Sequence, residues 1–180
     1  SNSFGLDKFL DSIGIFFLFS FYVSGNYILN DLNDIDLDRN HPEKKYRPIA
    51  PGKVSEKVAK RIAYFLLISS LLITFINYEV EIVYLYLIYL FIAVVYTKSL
   101  KFVNFIDSIA ISTLFLIRLS IGGIVVNLDI TIFLYIFTFF ISMFIVYLKK
   151  NSILHKKLLD DNLFHKKLID QNLSLIHISE

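Results

Sequence analysis

Residues 30–38, Asn-Asp-Leu-Asn-Asp-Ile-Asp-Leu-Asp, crowd acidic side chains into a short stretch beside a long apolar run. On a helix advancing about 100° per residue from Asn30, Asp31 falls at about 100°, Asp34 at about 40° and Asp38 at about 80°. These three carboxylates and the Asn30 amide share one face, whereas Asp36, at about 240°, points away as a solvated bystander. Carboxylates gathered within roughly 10 Å of helix rise repel one another unless a cation neutralises them. Hard divalent cations with oxygen ligands meet that demand, Mg²⁺ above all, and Mg²⁺ ordinarily shares its shell with substrate phosphates. The face therefore reads as a diphosphate site. Asn30, Asp31, Asp34 and Asp38 are its expected metal ligands, and the three aspartates its expected catalytic residues. Arg39, Lys44 and Arg47 follow closely and are expected to hold phosphate oxygens, arginine by bidentate contact. Lys45 is open between substrate and solvent, and His41 between a substrate contact and a hydrogen bond that orders the loop. For Lys53, Lys57, Lys60 and Arg61 the better reading is topology and contact with anionic lipid.

The elements that must position this face are apolar. The 180 residues are 56% hydrophobic, with 18 Phe and 11 Tyr, more than a single water-soluble core of this size requires. Residues 12–30, 62–78, 82–97 and 130–148 carry no Asp, Glu, Lys or Arg. Each approaches the roughly 20 residues that a helix needs to cross hydrocarbon. A fifth run, residues 104–126, is as apolar but contains Asp107 and Arg118, so it must turn these toward protein or water. Five spans leave no room for a soluble domain. The first helix, with its extension beyond the membrane, should end near Asn40, because Pro42 disfavours helix at His41. Ser55 is the expected N-cap of the second helix, and Pro48, Pro51 and Gly52 predict an ordered, non-helical loop between them.

With no Cys, disulfides and thiolate metal sites are excluded. The connections alternate in charge. The one after span one is rich in Lys and Arg, the next has none, then come Lys98 and Lys101, then a bare turn, then Lys149 and Lys150. The positive-inside rule makes the basic connections cytoplasmic. Residue 1 then lies outside, and further spans are expected before it. The near-repeat from His155 and from His165 predicts a cytoplasmic, basic, low-complexity tail over residues 151–172. Residues 173–180 resemble a translated sequencing adapter and are read as a non-native end.

Asn30 to Asp38 resembles the N-D-x-x-D-x-x-x-D signature of the UbiA superfamily of intramembrane prenyltransferases, and Arg47 to Gly52 resembles the R-P-[IL]-x-x-G that follows it. The interposed Asp38-Arg39, His41-Pro42, Lys44 and Arg47, and the later segment from Tyr96 to Gly123, are most similar to its decaprenyl-phosphate phosphoribosyltransferase branch. The resemblance implies a polytopic, all-α bundle of nine transmembrane helices, of which residues 1–150 supply about five. It implies Mg²⁺ and diphosphate at the cytoplasmic end, in a multi-pass protein of the inner membrane. It also implies transfer of 5-phosphoribosyl from phosphoribosyl pyrophosphate to a polyprenyl phosphate, with pyrophosphate released and no role for nucleic acid. The second polar motif of that family has no counterpart in these residues, and the fragment alone is expected to be inactive.

Within the membrane, Arg118 is expected to contact an anionic substrate or an Asp on another helix, and Asp107 and Lys98 to contact substrate near the inner boundary. Gly122 and Gly123 are expected to mark close helix packing. Tyr84, Tyr86 and Tyr89 are expected at the interface or in packing. Two rivals stand beside this reading. One is a prenyl diphosphate donor alkylating an aromatic acceptor at the same metal site. The other is a non-enzymatic polytopic transporter, against which the polar cluster lies at one membrane face rather than at a broken midplane helix.

Overall fold

The computed structural model describes residues 2–102 and 105–152. Most of the expected tail and all of the expected non-native end lie outside these residues. Every regular element among the described residues is a helix. Helix α1 spans Asn2–Asn33, α2 Ile35–Arg39, α3 Glu56–Asn77, α4 Val80–Lys98 and α5 Ile106–Val126, and α6 spans Ile132–Ser152. Five of them are long and apolar enough to cross a membrane, so the chain is a multi-pass membrane protein with a polytopic helical fold. Phe65, Phe91 and Phe133 are 70%, 70% and 79% exposed. In water such surfaces would associate; in hydrocarbon they are solvated, and backbone polar groups are satisfied within each helix.

The core forms where α1, α3, α4 and α5 meet, around Ile15, Tyr22, Leu67, Ile82, Tyr86 and Ile117. Tyr22 and Tyr86 rings lie 4.7 Å apart, and the Tyr22 hydroxyl donates to the Tyr86 carbonyl at 3.0 Å. This bond satisfies a hydroxyl that would otherwise be buried alone. Tyr86 and Tyr89 are thus packing residues, whereas Tyr84 is exposed.

Close approach of helices depends on a glycine other than the expected pair. A Cβ on Gly25 would lie 2.8 Å from the Ala63 carbonyl oxygen and 3.0 Å from Leu67, so α1 and α3 touch through Gly25, Ala59 and Ala63. A Cβ on Gly122 would meet open space, and Gly123 packs against Ile130 and the Leu128 carbonyl of the connection that follows α5. That connection needs room because α5 ends on Asn127 in the left-handed region, with the Leu128 amide donating to the Gly123 carbonyl at 2.9 Å.

Contacts at the two ends fix the helix directions. Lys8 Nζ, at the start of α1, donates to the Val126 carbonyl at the end of α5 at 2.8 Å. Thr97, at the end of α4, donates to Asn30 near the end of α1 at 2.9 Å. Lys150, at the end of α6, meets Asp107 at the start of α5 at 2.9 Å. The ends of α1, α4 and α6 and the starts of α3 and α5 therefore share one end of the bundle, and the basic connections collect there.

Candidate functional site

Helix α1 stops at Asn33, and Asp34 adopts φ −103° and ψ 9° before α2 begins. The hydrogen bonding carries across this joint: the Asp34 amide donates to the Asn30 carbonyl at 3.0 Å and the Asp38 amide to the Asp34 carbonyl at 2.8 Å. The joint turns Ile35 inward onto Ile49 and Ala59. Helix α2 ends at Arg39 with Asn40 as its C-cap, the boundary read from Pro42. Next, the His41 imidazole accepts from the Glu43 and Lys44 amides, each at 3.2 Å, so His41 orders the loop. Lys44–Tyr46 forms a turn of 3₁₀ helix. Arg47 is extended, as a residue before proline prefers. Gly52 takes φ +80°, open to glycine at no steric cost. Ser55 caps α3 by accepting from the Val58 amide at 3.4 Å.

The loop returns Arg47 to the acidic helix end. A single guanidinium nitrogen, Nη1, donates to Asp31 Oδ1 at 2.6 Å and to Asp38 Oδ2 at 3.0 Å. Two carboxylates from successive helices thus converge on one positive atom. Asp34 turns elsewhere, to Lys101 from the 3₁₀ turn Leu100–Phe102, and accepts from Asn33 Nδ2 at 3.2 Å. The single acidic face expected of a continuous helix is therefore divided between two cations. The division accompanies the break between α1 and α2 at Asp34 and follows from electrostatics: Asp34 and Asp38 are buried, and a buried carboxylate requires a partner. Among the described residues no three His, Cys, Asp or Glu side chains stand together as a metal site. Asp31 and Asp38 alone present a pair of hard oxygens converging on a cation, which suits a hard divalent metal.

The remaining expected residues are distributed as follows. Asn30 is held by Thr97. Arg39 Nε donates to the Ala50 carbonyl at 3.0 Å and Nη1 meets Asp36 at 3.3 Å, so Arg39 fastens the loop to α2. Lys44 and Lys98 are exposed at this end of the bundle. Lys45 lies over the Tyr46 ring, and Lys53, Lys57, Lys60 and Arg61 are exposed. Asp107, buried at the start of α5, accepts from the Ser108 amide at 2.7 Å and from Lys150. Arg118 Nη2 donates to the Tyr89 hydroxyl at 2.9 Å, its guanidinium 5.0 Å from the Phe115 ring centre. Its Nε is buried without a hydrogen-bond partner. Arg118 and Tyr27 line a groove of about 580 Å³ between α1 and α5, with Phe16, Phe19 and Gly122. They stand at the end nearest the carboxylates, since Tyr27 precedes Asp31 by about one helical turn.

Sequence reasoning missed Lys101, Lys150 and Thr97 as polar partners. Lys101 lies in the connection between α4 and α5 and Lys150 in the last turn of α6, and the topology argument counts both only as cytoplasmic charge. The available signal was that Asp34 and Asp107 each need a cation, and the basic connections at the same end supply one.

Comparison with known proteins gives this arrangement a family. A model of the UbiA prenyltransferase family matches residues 4–168. The chain belongs to the UbiA prenyltransferase family. It is 31% identical over 140 residues to a decaprenyl-phosphate phosphoribosyltransferase from Mycobacterium tuberculosis, covering 78% of this chain and 46% of that protein. The enzyme of the same name from Mycolicibacterium smegmatis is 33% identical over 117 residues, 64% of this chain and 36% of that one. A digeranylgeranylglyceryl phosphate synthase from Saccharolobus solfataricus is 28% identical over 101 residues, 56% of this chain and 35% of that one. The chain spans less than half the length of these relatives. UbiA members form a transferase family and generally use a divalent metal, the class of ion that Asp31 and Asp38 suit.

Proposed function

We propose that this UbiA member transfers 5-phosphoribosyl from phosphoribosyl pyrophosphate to a polyprenyl phosphate with Mg²⁺, on the cytoplasmic face of the inner membrane. The observation that carries the reading is the convergence of Asp31 and Asp38 on Arg47, where basic connections gather at one end of the bundle. The relatives named for this reaction support it, and the positive-inside rule supports the orientation. Asp31 and Asp38 would hold Mg²⁺, joined by Asp34 and Asn30 once these turn from Lys101 and Thr97. When bound, the ion supplies positive charge to the leaving pyrophosphate.

The chain's own residues do the rest. Arg47 and Lys101, with Lys44 and Lys98 beside them, hold phosphate oxygens of the donor. Arg39 keeps the loop on α2 so that Arg47 is in position. Arg118 and Tyr27 draw the anionic head of the lipid to the end of the groove nearest the carboxylates, while its chain lies along Phe16 and Phe19. Asp107, clamped by Lys150, fixes the start of α5 beside the donor. A lipid phosphate oxygen forms a bond to C1 of the ribose as the bond from C1 to pyrophosphate breaks, and pyrophosphate departs with the electron pair. The attacking phosphate is already anionic, so no nucleophilic side chain is needed.

A second reading changes the donor to a prenyl diphosphate, and the match to the archaeal synthase favours it. Incubating the intact protein with Mg²⁺ and each donor, with polyprenyl phosphate or an aromatic acceptor, separates the two. Phosphoribosylated lipid supports the first; prenylated product without it replaces the first by the second.

A further inference from the structure

Helices α5 and α6 meet through polar contacts at two levels. At the basic end of the bundle Lys150 Nζ donates to Asp107 Oδ2 at 2.9 Å, and toward the other end the Ser120 and Tyr135 hydroxyls lie 3.0 Å apart. Elsewhere α6 is barely covered by the described residues, with only 6% of its apolar stretch buried. The two helices leave a groove of about 520 Å³, lined by Phe105, Phe140, Met143, Phe144, Tyr147 and Lys150. It shares no lining residue with the groove that holds Arg118 and Tyr27.

The lining is graded along α6. Phe140, Met143 and Phe144 are apolar, Tyr147 follows about one turn later, and Lys150 stands at the rim with the exposed Lys149 next to it in the chain. From Phe140 to Lys150 the helix rises about 15 Å, half of the roughly 30 Å of hydrocarbon. That depth suits an acyl chain from one leaflet and falls short of what a helix needs, since a helix must run the whole thickness. Tyrosine is at home at the interface such a chain would cross. Lys149 and Lys150 against the single carboxylate of Asp107 leave the rim with net positive charge, where the head of the lipid would lie.

We propose that this groove binds an acidic phospholipid, with its phosphate beside Lys149 and Lys150 and one acyl chain against Phe140, Met143 and Phe144. The lipid fills a seam that side chains leave open between α5 and α6, whatever the donor at the acidic end of α1.

The test places photoreactive p-benzoylphenylalanine at Phe144 of the intact protein, in vesicles of equal phosphatidylglycerol and phosphatidylcholine, and identifies the adducts by mass spectrometry. The same probe at Phe133, which is exposed near the start of α6, reports bulk lipid. At Phe144 phosphatidylglycerol adducts are expected to exceed phosphatidylcholine adducts about fivefold, the effect of one net positive charge at a membrane surface. At Phe133 the two should be equal. Lys149→Gln leaves the Lys150–Asp107 pair intact and should bring the Phe144 ratio to that of Phe133, whereas Lys149→Arg should preserve it. Equal adducts at Phe144 in the native background, or a ratio that Lys149→Gln leaves unchanged, overturns the acidic lipid. Cross-linking of Phe144 to protein in place of lipid, whether a second copy or another segment of this chain, overturns the lipid site altogether.

Discussion

Removing the guanidinium of Arg47 is expected to unbalance two carboxylates at once, and the size of the effect follows from the geometry. Asp38 is 2% exposed and lies 3.0 Å from Nη1, with Asp31 at 2.6 Å. At an effective dielectric of about 20, unit charges near 3 Å apart interact by about 5 kcal/mol. The Arg47 side chain is 37% exposed, so solvent screens much of this and about 2–3 kcal/mol remains. In chelator, where no metal substitutes for the arginine, Arg47→Ala should therefore lower stability by about 2–3 kcal/mol. Asp38→Asn removes the more deeply buried charge. Combined with Arg47→Ala it should recover part of that loss, giving an interaction energy of about 1.5 kcal/mol in a double-mutant cycle. The assay is reversible unfolding of the intact protein in mixed micelles, with all four proteins measured in the same chelator. Strict additivity, within about 0.3–0.5 kcal/mol, would refute the claim that Arg47 is the counter-ion of Asp38.

Other expectations can be checked separately. Gly25→Val should destabilise the α1–α3 contact by about 3 kcal/mol because the new carbon atoms meet the Ala63 backbone, whereas Gly122→Ala should change thermal stability by less than about 0.5 kcal/mol. Arg118→Leu should raise KM for the lipid acceptor about tenfold or more with little effect on Mn²⁺ binding, as loss of a charge-assisted contact implies; an unchanged acceptor KM would remove Arg118 from the lipid site. Lys150→Met should cost about 1 kcal/mol, the scale of a partly exposed pair, since the Lys150 side chain is 44% exposed. Cysteines replacing Lys53 and Asp129 should be labelled from opposite sides of oriented vesicles; labelling from the same side would overturn the topology.

The spans were legible because each unbroken apolar run approaches the hydrocarbon thickness, and caps and breakers trimmed them well. Ser55, Pro42 and Asn40 mark boundaries that the structure shares. The acidic motif was legible as a unit of chemistry, because its spacing and its place beside a span carry information that a charge count does not. What the spacing did not reveal was the break between α1 and α2 at Asp34, after which Ile35 packs with Ile49 and Ala59 from farther along the chain. The same limit applies to counter-ions. Lys101 reaches Asp34 across 67 positions and Lys150 reaches Asp107 across 43, pairings set by helix packing and absent from any local window. Gly25 was overlooked for a related reason: a lone glycine in an apolar run announces close packing only when its partner, Ala63, is known.

The most direct measurement is Mg²⁺-dependent formation of phosphoribosylated lipid by the intact protein carrying Asp31→Asn and Asp38→Asn together. A fall of about a thousandfold or more is expected if these carboxylates hold the ion that neutralises the leaving pyrophosphate. Turnover at the native rate, with native Mg²⁺ dependence, would contradict it.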